Sequence, residues 1–277
     1  MTTRLWTGRS AAPAPAQPSR RRERRRERRW LPLAAALFFP LAVFATEPTS
    51  PEKEGQTLAA ELRAQRPVEN LSTSGVLKQR DARGKWRRQT SVRMEVRLGE
   101  QSWQSVYQAL ATNGLVLETL LVTHSDGQPN RYQYLGAAGS DDPLARAVTL
   151  TGDQAAVPFA GSDFWLADLG LEFFHWPVQR IVKKEMRKSR SCRVLESIHE
   201  NPVPGGYARV LSWIDFETDK LVRAEAYDQQ GRLLKEFSIG SVKKINGRWQ
   251  LKSMEIRNEA TDSRTRLEFD LHLEADR

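Results

Sequence analysis

Apolar and polar residues alternate along most of this chain. Val92, Met94, Val96 and Leu98 are separated by Arg93, Glu95 and Arg97, and a period of two puts one set of side chains on a buried face and the other in water. Similar patterning predicts strands over 103–111, 115–122, 131–135 and 148–150. After an interruption, strands resume over 180–188, 192–199, 207–215, 221–228, 232–243, 248–258 and 264–274. The segment 115–122 is apolar on both faces, which predicts cover on both sides. Turn signals separate the strands: Asp126-Gly127, the basic run 188–191, the proline- and glycine-rich 201–206, and the joints 217–219, 229–231, 246–247 and 261–263. Asn246-Gly247 is the strongest, because a type I′ hairpin turn needs positive φ at both central positions. Loop composition fills 136–143. Between Trp249/Leu251 and Met254/Ile256 the apolar parity slips, predicting a bulge or sharp coil near Lys252-Ser253.

Two stretches break the alternation. Ser50-Pro51 resembles an N-cap followed by proline at the first helical position, with Glu52 and Glu54 well placed against the helix dipole. A helix follows to about Arg66, carrying the narrow apolar stripe Leu58, Ala59 and Leu62, and Pro67 stops it. So narrow a stripe has to pack on a sheet. The second stretch, 161–177, reads GSDFWLADLGLEFFHWP and crowds together Phe164, Trp165, Phe173, Phe174 and Trp176. If Ser162 caps a short helix there, Phe164, Asp168 and Leu171, or Trp165, Leu169 and Glu172, share faces, until Gly170 interrupts it. Such a segment is either a plug closing the core or a lid over an apolar cavity. Strands at roughly ten-residue spacing predict a long, mainly β, antiparallel meander that curls. Left unclosed, it is a half-barrel whose concave side needs helices to cover it.

Charge changes the picture once it is located. The chain has 277 residues and a net charge of +9. Ten arginines against Glu23 and Glu27 before residue 46 supply eight of those charges, so 46–277 is nearly neutral. That removes the basic folded face needed for nucleic-acid binding. The arginine run leads into LPLAAALFFPLAVFA, which with its small final residues makes 1–45 a secretory signal cleaved near Val43-Phe44-Ala45. The expected product, 46–277, is one soluble periplasmic domain with no cysteine at the cleavage site to carry a lipid anchor.

Catalytic chemistry is sparse. Cys192 is the only cysteine and reads as a small buried hydrophobe. His124, His175, His199 and His272 are scattered without metal-ligand spacing, so neither a metal nor another cofactor is expected. His175 reads as a polar tip at a cavity rim or a satisfied core residue. Asp163, Asp168 and Glu172 read as caps and solvated helix faces, and no phosphate-cradling loop or nucleophile elbow occurs. The basic cluster Lys183, Lys184, Arg187, Lys188 and Arg190, with Arg193, is either a solvated hairpin protected from edge pairing or a contact for anionic headgroups or an acidic partner.

Four features together carry a resemblance: the run Gly161 to Trp165; Ser212-Trp213-Ile214-Asp215; the hairpin from Tyr227-Asp228 to Gly231-Arg232-Leu233-Leu234-Lys235; and the pair Met254-Glu255-Ile256 with Thr265 to Phe269. Over its second half the chain resembles the outer-membrane lipoprotein-sorting family, proteins of LolA-like fold. The resemblance implies an unclosed, curved antiparallel sheet with helices across its concave side, enclosing an apolar cavity for acyl chains. It also implies a membrane-protein donor and acceptor, and an arginine that helps hold the lid, for which no equivalent is placed here. The expectation is a non-enzymatic periplasmic carrier of lipoprotein or lipid acyl chains. Phe164, Trp165, Leu169, Phe173, Phe174 and Trp176 are its expected wall or lid. The alternatives are a structural or signalling module on the same scaffold and a periplasmic hydrolase.

Overall fold

The computed structural model describes residues 50–136, 147–245 and 248–271. The leader 1–45, most of the 136–143 loop, the 246–247 turn and His272 lie outside the described residues. Helix α1 (Ser50–Ala64) buries Leu58 and Ala59 as its stripe predicts. The first meander follows: β1 (Leu71–Arg80), β2 (Trp86–Leu98), β3 (Ser102–Leu110), β4 (Val116–Ser125), β5 (Arg131–Leu135) and β6 (Val148–Leu150). A crossing segment, 151–177, contains the four-residue helix α2 (Leu166–Leu169) and three short 3-10 turns. The second meander comprises β7 (Val178–Arg187), β8 (Arg190–Ile198), β9 (Arg209–Asp215), β10 (Leu221–Tyr227), β11 (Leu233–Ile245), β12 (Arg248–Asn258) and β13 (Ser263–Asp270).

All thirteen strands belong to one sheet, ordered β6-β5-β4-β3-β2-β1-β13-β12-β11-β10-β9-β8-β7. The last strand returns to the first: Ser74 opposes Asp270 and Arg80 opposes Arg264, antiparallel. A Cβ on Gly75 would stand 2.4 Å from the Glu268 carbonyl oxygen, so glycine lets these two strands approach. The sheet stays open, with β6 and β7 as its edges, which is the mainly β half-barrel expected. The slip in β12 is real: Met254 pairs with Ile239 and Leu251 with Val242, leaving Lys252 and Gly240 out of register.

The crossing segment occupies the concave side and is held from all around it. Phe159, Phe164 and Leu166 pack with Leu77, Val92, Tyr107, Leu120 and Tyr132 of the first meander and Ile256 and Leu267 of the second. Phe173 and Phe174 pack with Leu58 of α1 and with Leu195, Val210, Ile214 and Ala224. One short segment reaching strands near both edges requires the sheet to curl around it.

Several expectations are corrected. The helix in this segment begins after Trp165, whose N–H donates to Asp168 Oδ2 at 2.8 Å. Ser162 Oγ instead accepts the Phe164 N–H at 3.1 Å. Four residues make about one turn, and Leu171 then takes φ +52°, so the two predicted helical faces do not form. The strand β4 buries Leu120 and Val122 fully on one face but leaves Leu117 and Leu121 on the other only half-buried, and Leu115 and Val116 at its start are 65% and 45% exposed. Cys192 is fully buried, as expected, and burial raises its thiol pKa. Among the described residues no helix is long and apolar enough to cross a membrane.

Candidate functional site

The polar side chains of the crossing segment fix it to the sheet. Asp163 accepts hydrogen bonds from Ser263 Oγ at 2.6 Å and Thr265 Oγ1 at 2.7 Å. Asp168 accepts from the Tyr207 hydroxyl at 3.0 Å and lies 3.3 Å from Lys235 Nζ. That ammonium also donates to the Asp163 carbonyl at 2.7 Å and sits 3.6 Å from the Trp165 ring centroid, with Tyr207 stacked on the same indole. Lys235 is 3% exposed. Burial lowers its pKa against the pull of Asp168, and burial with Asp168 holds the Tyr207 hydroxyl well above its ordinary value. On the other flank, Glu172 accepts the Tyr132 hydroxyl at 2.8 Å, and Asn130 Nδ2 donates to the Gly170 carbonyl at 2.8 Å. Burial raises the Glu172 carboxyl to about 6. A Cβ on Gly170 would fall 2.2 Å from the Tyr132 hydroxyl, so this glycine makes room for the network. The solvated-face reading of these carboxylates is therefore wrong for Glu172, which is 7% exposed, and for Asp168, which is an ion-pair partner.

The middle of the hollow is thus filled, and space remains on either side of the segment's second half. A cleft of about 350 Å³ runs between the end of α1 and the concave face of β2–β4. Its apolar walls include Leu62, Met94, Val96, Tyr107, Leu169, Leu171 and Phe174, and its polar lining includes Arg63, Ser105, His124, Asn130 and His175. A second cleft of about 290 Å³ is lined by Gln56, Arg63, Gln128, His175, Trp176 and Gln179. Arg63 and His175 border both. The Arg63 guanidinium donates to the Phe174 carbonyl, and burial lowers its pKa. His124 lies flat on Trp103, with centroids 3.8 Å apart, and its Nε2 is 3.4 Å from Ser105 Oγ. Burial, the largest effect on both imidazoles, pulls His124 and His175 down to about 4, with the Arg63 charge adding to the effect at His175.

The six expected wall residues are divided among different surroundings. Leu169 and Phe174 line the larger cleft and Trp176 the smaller. Phe173 borders only crevices of about 20 Å³, about one water sphere. Trp165 is in contact with both Lys235 and Tyr207, and Phe164 is 1% exposed in the core. The segment is plug in its first half and cleft wall in its second.

The basic cluster is divided as well. Lys183 pairs with Glu185 at 2.8 Å, Arg190 with Asp215 at 2.9 Å, and Lys188 Nζ donates to the Ile239 carbonyl at 2.8 Å. Lys183 and Arg187 lie 5.9 and 5.3 Å from the Trp213 ring centroid on one face of the sheet. Lys184, paired with Arg193, points to the other face. It makes no ion pair among the described residues.

Sequence reasoning missed Arg63, Trp103, Tyr107 and Asn130, and it set His124 aside as one of the scattered histidines. The alternation Trp103, Ser105, Tyr107 marks one face of a strand, but nothing local says that α1 lies opposite.

The model of a family described as "Uncharacterized protein" matches residues 117–275. The chain belongs to that family. A search of curated proteins finds no match. Among solved structures, the chain is similar to a DUF1329 family protein from Desulfovibrio piger, with 18% identity, TM-score 0.63, and 83% of this chain and 95% of that one covered. It is likewise similar to a domain described as an outer membrane lipoprotein-sorting protein from Vibrio parahaemolyticus, with 18% identity, TM-score 0.62 and coverage of 82% and 94%. A LolA superfamily protein from Nitrosomonas europaea follows, with 13% identity, TM-score 0.53 and coverage of 83% and 96%. At these identities the likeness establishes the LolA-like fold.

Proposed function

We propose that this protein is a periplasmic, non-catalytic binding protein that shelters an acyl chain in the larger cleft, in lipoprotein sorting or lipid transport. The observation that carries the reading is the cleft of about 350 Å³ beside the plug, walled by Leu62, Met94, Val96, Tyr107, Leu169, Leu171 and Phe174. Burying a hydrocarbon chain there is worth about 25 cal/mol per Å² of apolar surface before ordering costs. The leader 1–45 supports export, and the fold shared with a domain described as a lipoprotein-sorting protein supports the cargo class. Loading and release need the wall formed by 169–175 or the end of α1 to shift, under a donor or acceptor offering a better apolar site. Lys184 and Arg187, which make no ion pair among the described residues, are the members of the basic cluster left to meet a membrane face or acidic partner, on opposite faces of the sheet.

Native mass spectrometry of gently purified protein, followed by delipidation and uptake of a labelled fatty acid, tests this reading. Saturable uptake that Leu169→Trp abolishes is expected. A delipidated, folded protein that takes up no chain would overturn the reading. It would favour a protein-docking module on the same scaffold, for which the filled centre of the hollow already speaks.

A further inference from the structure

The two clefts differ in character and meet at one pair of residues. The larger is mostly apolar along Leu62, Met94, Val96, Leu169, Leu171 and Phe174, whereas the smaller is rich in glutamines. Arg63 and His175 stand at the junction. No aspartate or glutamate lines either cleft, although the chain carries 34 of them. Many arginines on the strands have carboxylates: Arg180 has Glu196, Arg190 has Asp215, Arg193 has Asp219, and Arg223 has Glu225 and Glu236; Arg88 instead donates to the Ala160 carbonyl, away from either cleft. Arg63 makes no ion pair among the described residues and spends one N–H on the Phe174 carbonyl. A guanidinium with N–H groups to spare, over a mouth without acids, is complementary to an anion and unfavourable to a cation. Size adds a second constraint. If crevices of about 20 Å³ hold one water each, about 350 Å³ holds roughly seventeen, which suits one hydrocarbon chain and not two or three side by side.

Resting on the acyl-chain reading above, we infer that the ligand is a single-chain amphiphile with an anionic head. The carboxylate or phosphate sits in the polar cleft against Arg63 and His175, and the tail runs past Phe174 and Leu169 into the apolar cleft. Arg63 supplies charge-assisted hydrogen bonds, and His175, neutral when the cleft is empty, has an N–H to donate.

Calorimetric titration of the delipidated full chain with palmitate, hexadecyl phosphate, hexadecanol and the two-chain lipid phosphatidylglycerol tests this inference. Palmitate or hexadecyl phosphate is expected to bind at least tenfold tighter than hexadecanol, and whichever is tighter identifies the head. Arg63→Gln should collapse that ratio, and Arg63→Lys should keep most of it. If Arg63→Gln fails to fold, added salt should weaken palmitate and spare hexadecanol. Equal affinities for anionic and neutral chains, or phosphatidylglycerol binding as tightly as palmitate, would overturn the inference and leave the acyl-chain reading standing. Failure of every probe to bind would overturn both.

Discussion

Acidification from pH 7 to pH 5 should cost this protein about 2 kcal/mol of stability, with the loss arising in the larger cleft. His124 and His175 have folded-state pKa values of about 4 against an ordinary 6.5. The unfolded chain therefore takes up protons first, and stability present above pH 6.5 drains away as pH falls toward 4. Over this window, linkage with those values gives about 2 kcal/mol for His124. His175 is the more open, and halving its share for solvent screening leaves about 1 kcal/mol. Glu172 acts in the opposite direction. Its carboxyl is raised from 4.5 to about 6, so the folded state takes its proton first and gains about 1 kcal/mol on acidification. With an m-value of about 3 kcal/mol per molar, the net loss lowers the urea midpoint by roughly 0.7 M. Urea titrations at pH 7 and pH 5 and constant ionic strength measure it. The double variant His124→Gln/His175→Gln should reverse the sign and become about 1 kcal/mol more stable at pH 5. Wild-type protein equally stable at both pH values, or a double variant that keeps the acid loss, would refute the reasoning.

Other perturbations separate plug from wall. Phe164→Ala should cost about 3–5 kcal/mol, whereas Leu169→Ala, on the cleft wall, should cost only about 1 kcal/mol and weaken chain uptake; chemical denaturation beside a binding titration compares them. Lys235→Ala should cost about 3–5 kcal/mol, because it leaves the mostly buried Asp168 without its cation, measured as a shift in urea midpoint. Gly55→Ala would stabilise an ordinary helix by about 1 kcal/mol. Here the added Cβ would lie 2.4 Å from Arg180 Cα, so about 1–3 kcal/mol is lost, read as a lower melting temperature by circular dichroism.

Strands were legible wherever side chains alternate against a wet face. Arg131–Leu135 and Val148–Leu150 fall where the pattern puts them, and the parity slip at Lys252-Ser253 marked a true irregularity. In the Leu115–Val122 run only Leu120 and Val122, which pack with the crossing segment, are fully buried; Leu117 and Leu121 on the other face are half-buried, and Leu115 and Val116 are exposed beside the hairpin turn. The change to an alternating period after Val68 pointed to this region, but the bounds of β1 were not legible, because the Ser-Thr-Ser-Gly run after Leu71 has no apolar side chain to count. The site was half legible. A concentration of aromatics located the plug, but residue type could not say which of them faced space. Asp168 and Glu172 read as solvated because their partners are remote: Lys235 lies 67 residues away and Tyr132 40. Arg63 drew no notice, since its role depends on α1 lying across the mouth of a cleft built by β2–β4.

The pairing of β1 with β13 bears on the order of assembly. Every other strand pair joins neighbours in sequence, but Thr73 Oγ1 reaches the Asp270 carbonyl across 197 residues. As the polypeptide is delivered from its N-terminus, hairpins can zip locally while β1 waits with one flank of backbone groups bare until the final strand arrives. Such an unpaired flank invites association with other chains, and so distant a contact forms slowly. Truncations that remove β13 should therefore aggregate rather than yield a smaller soluble sheet.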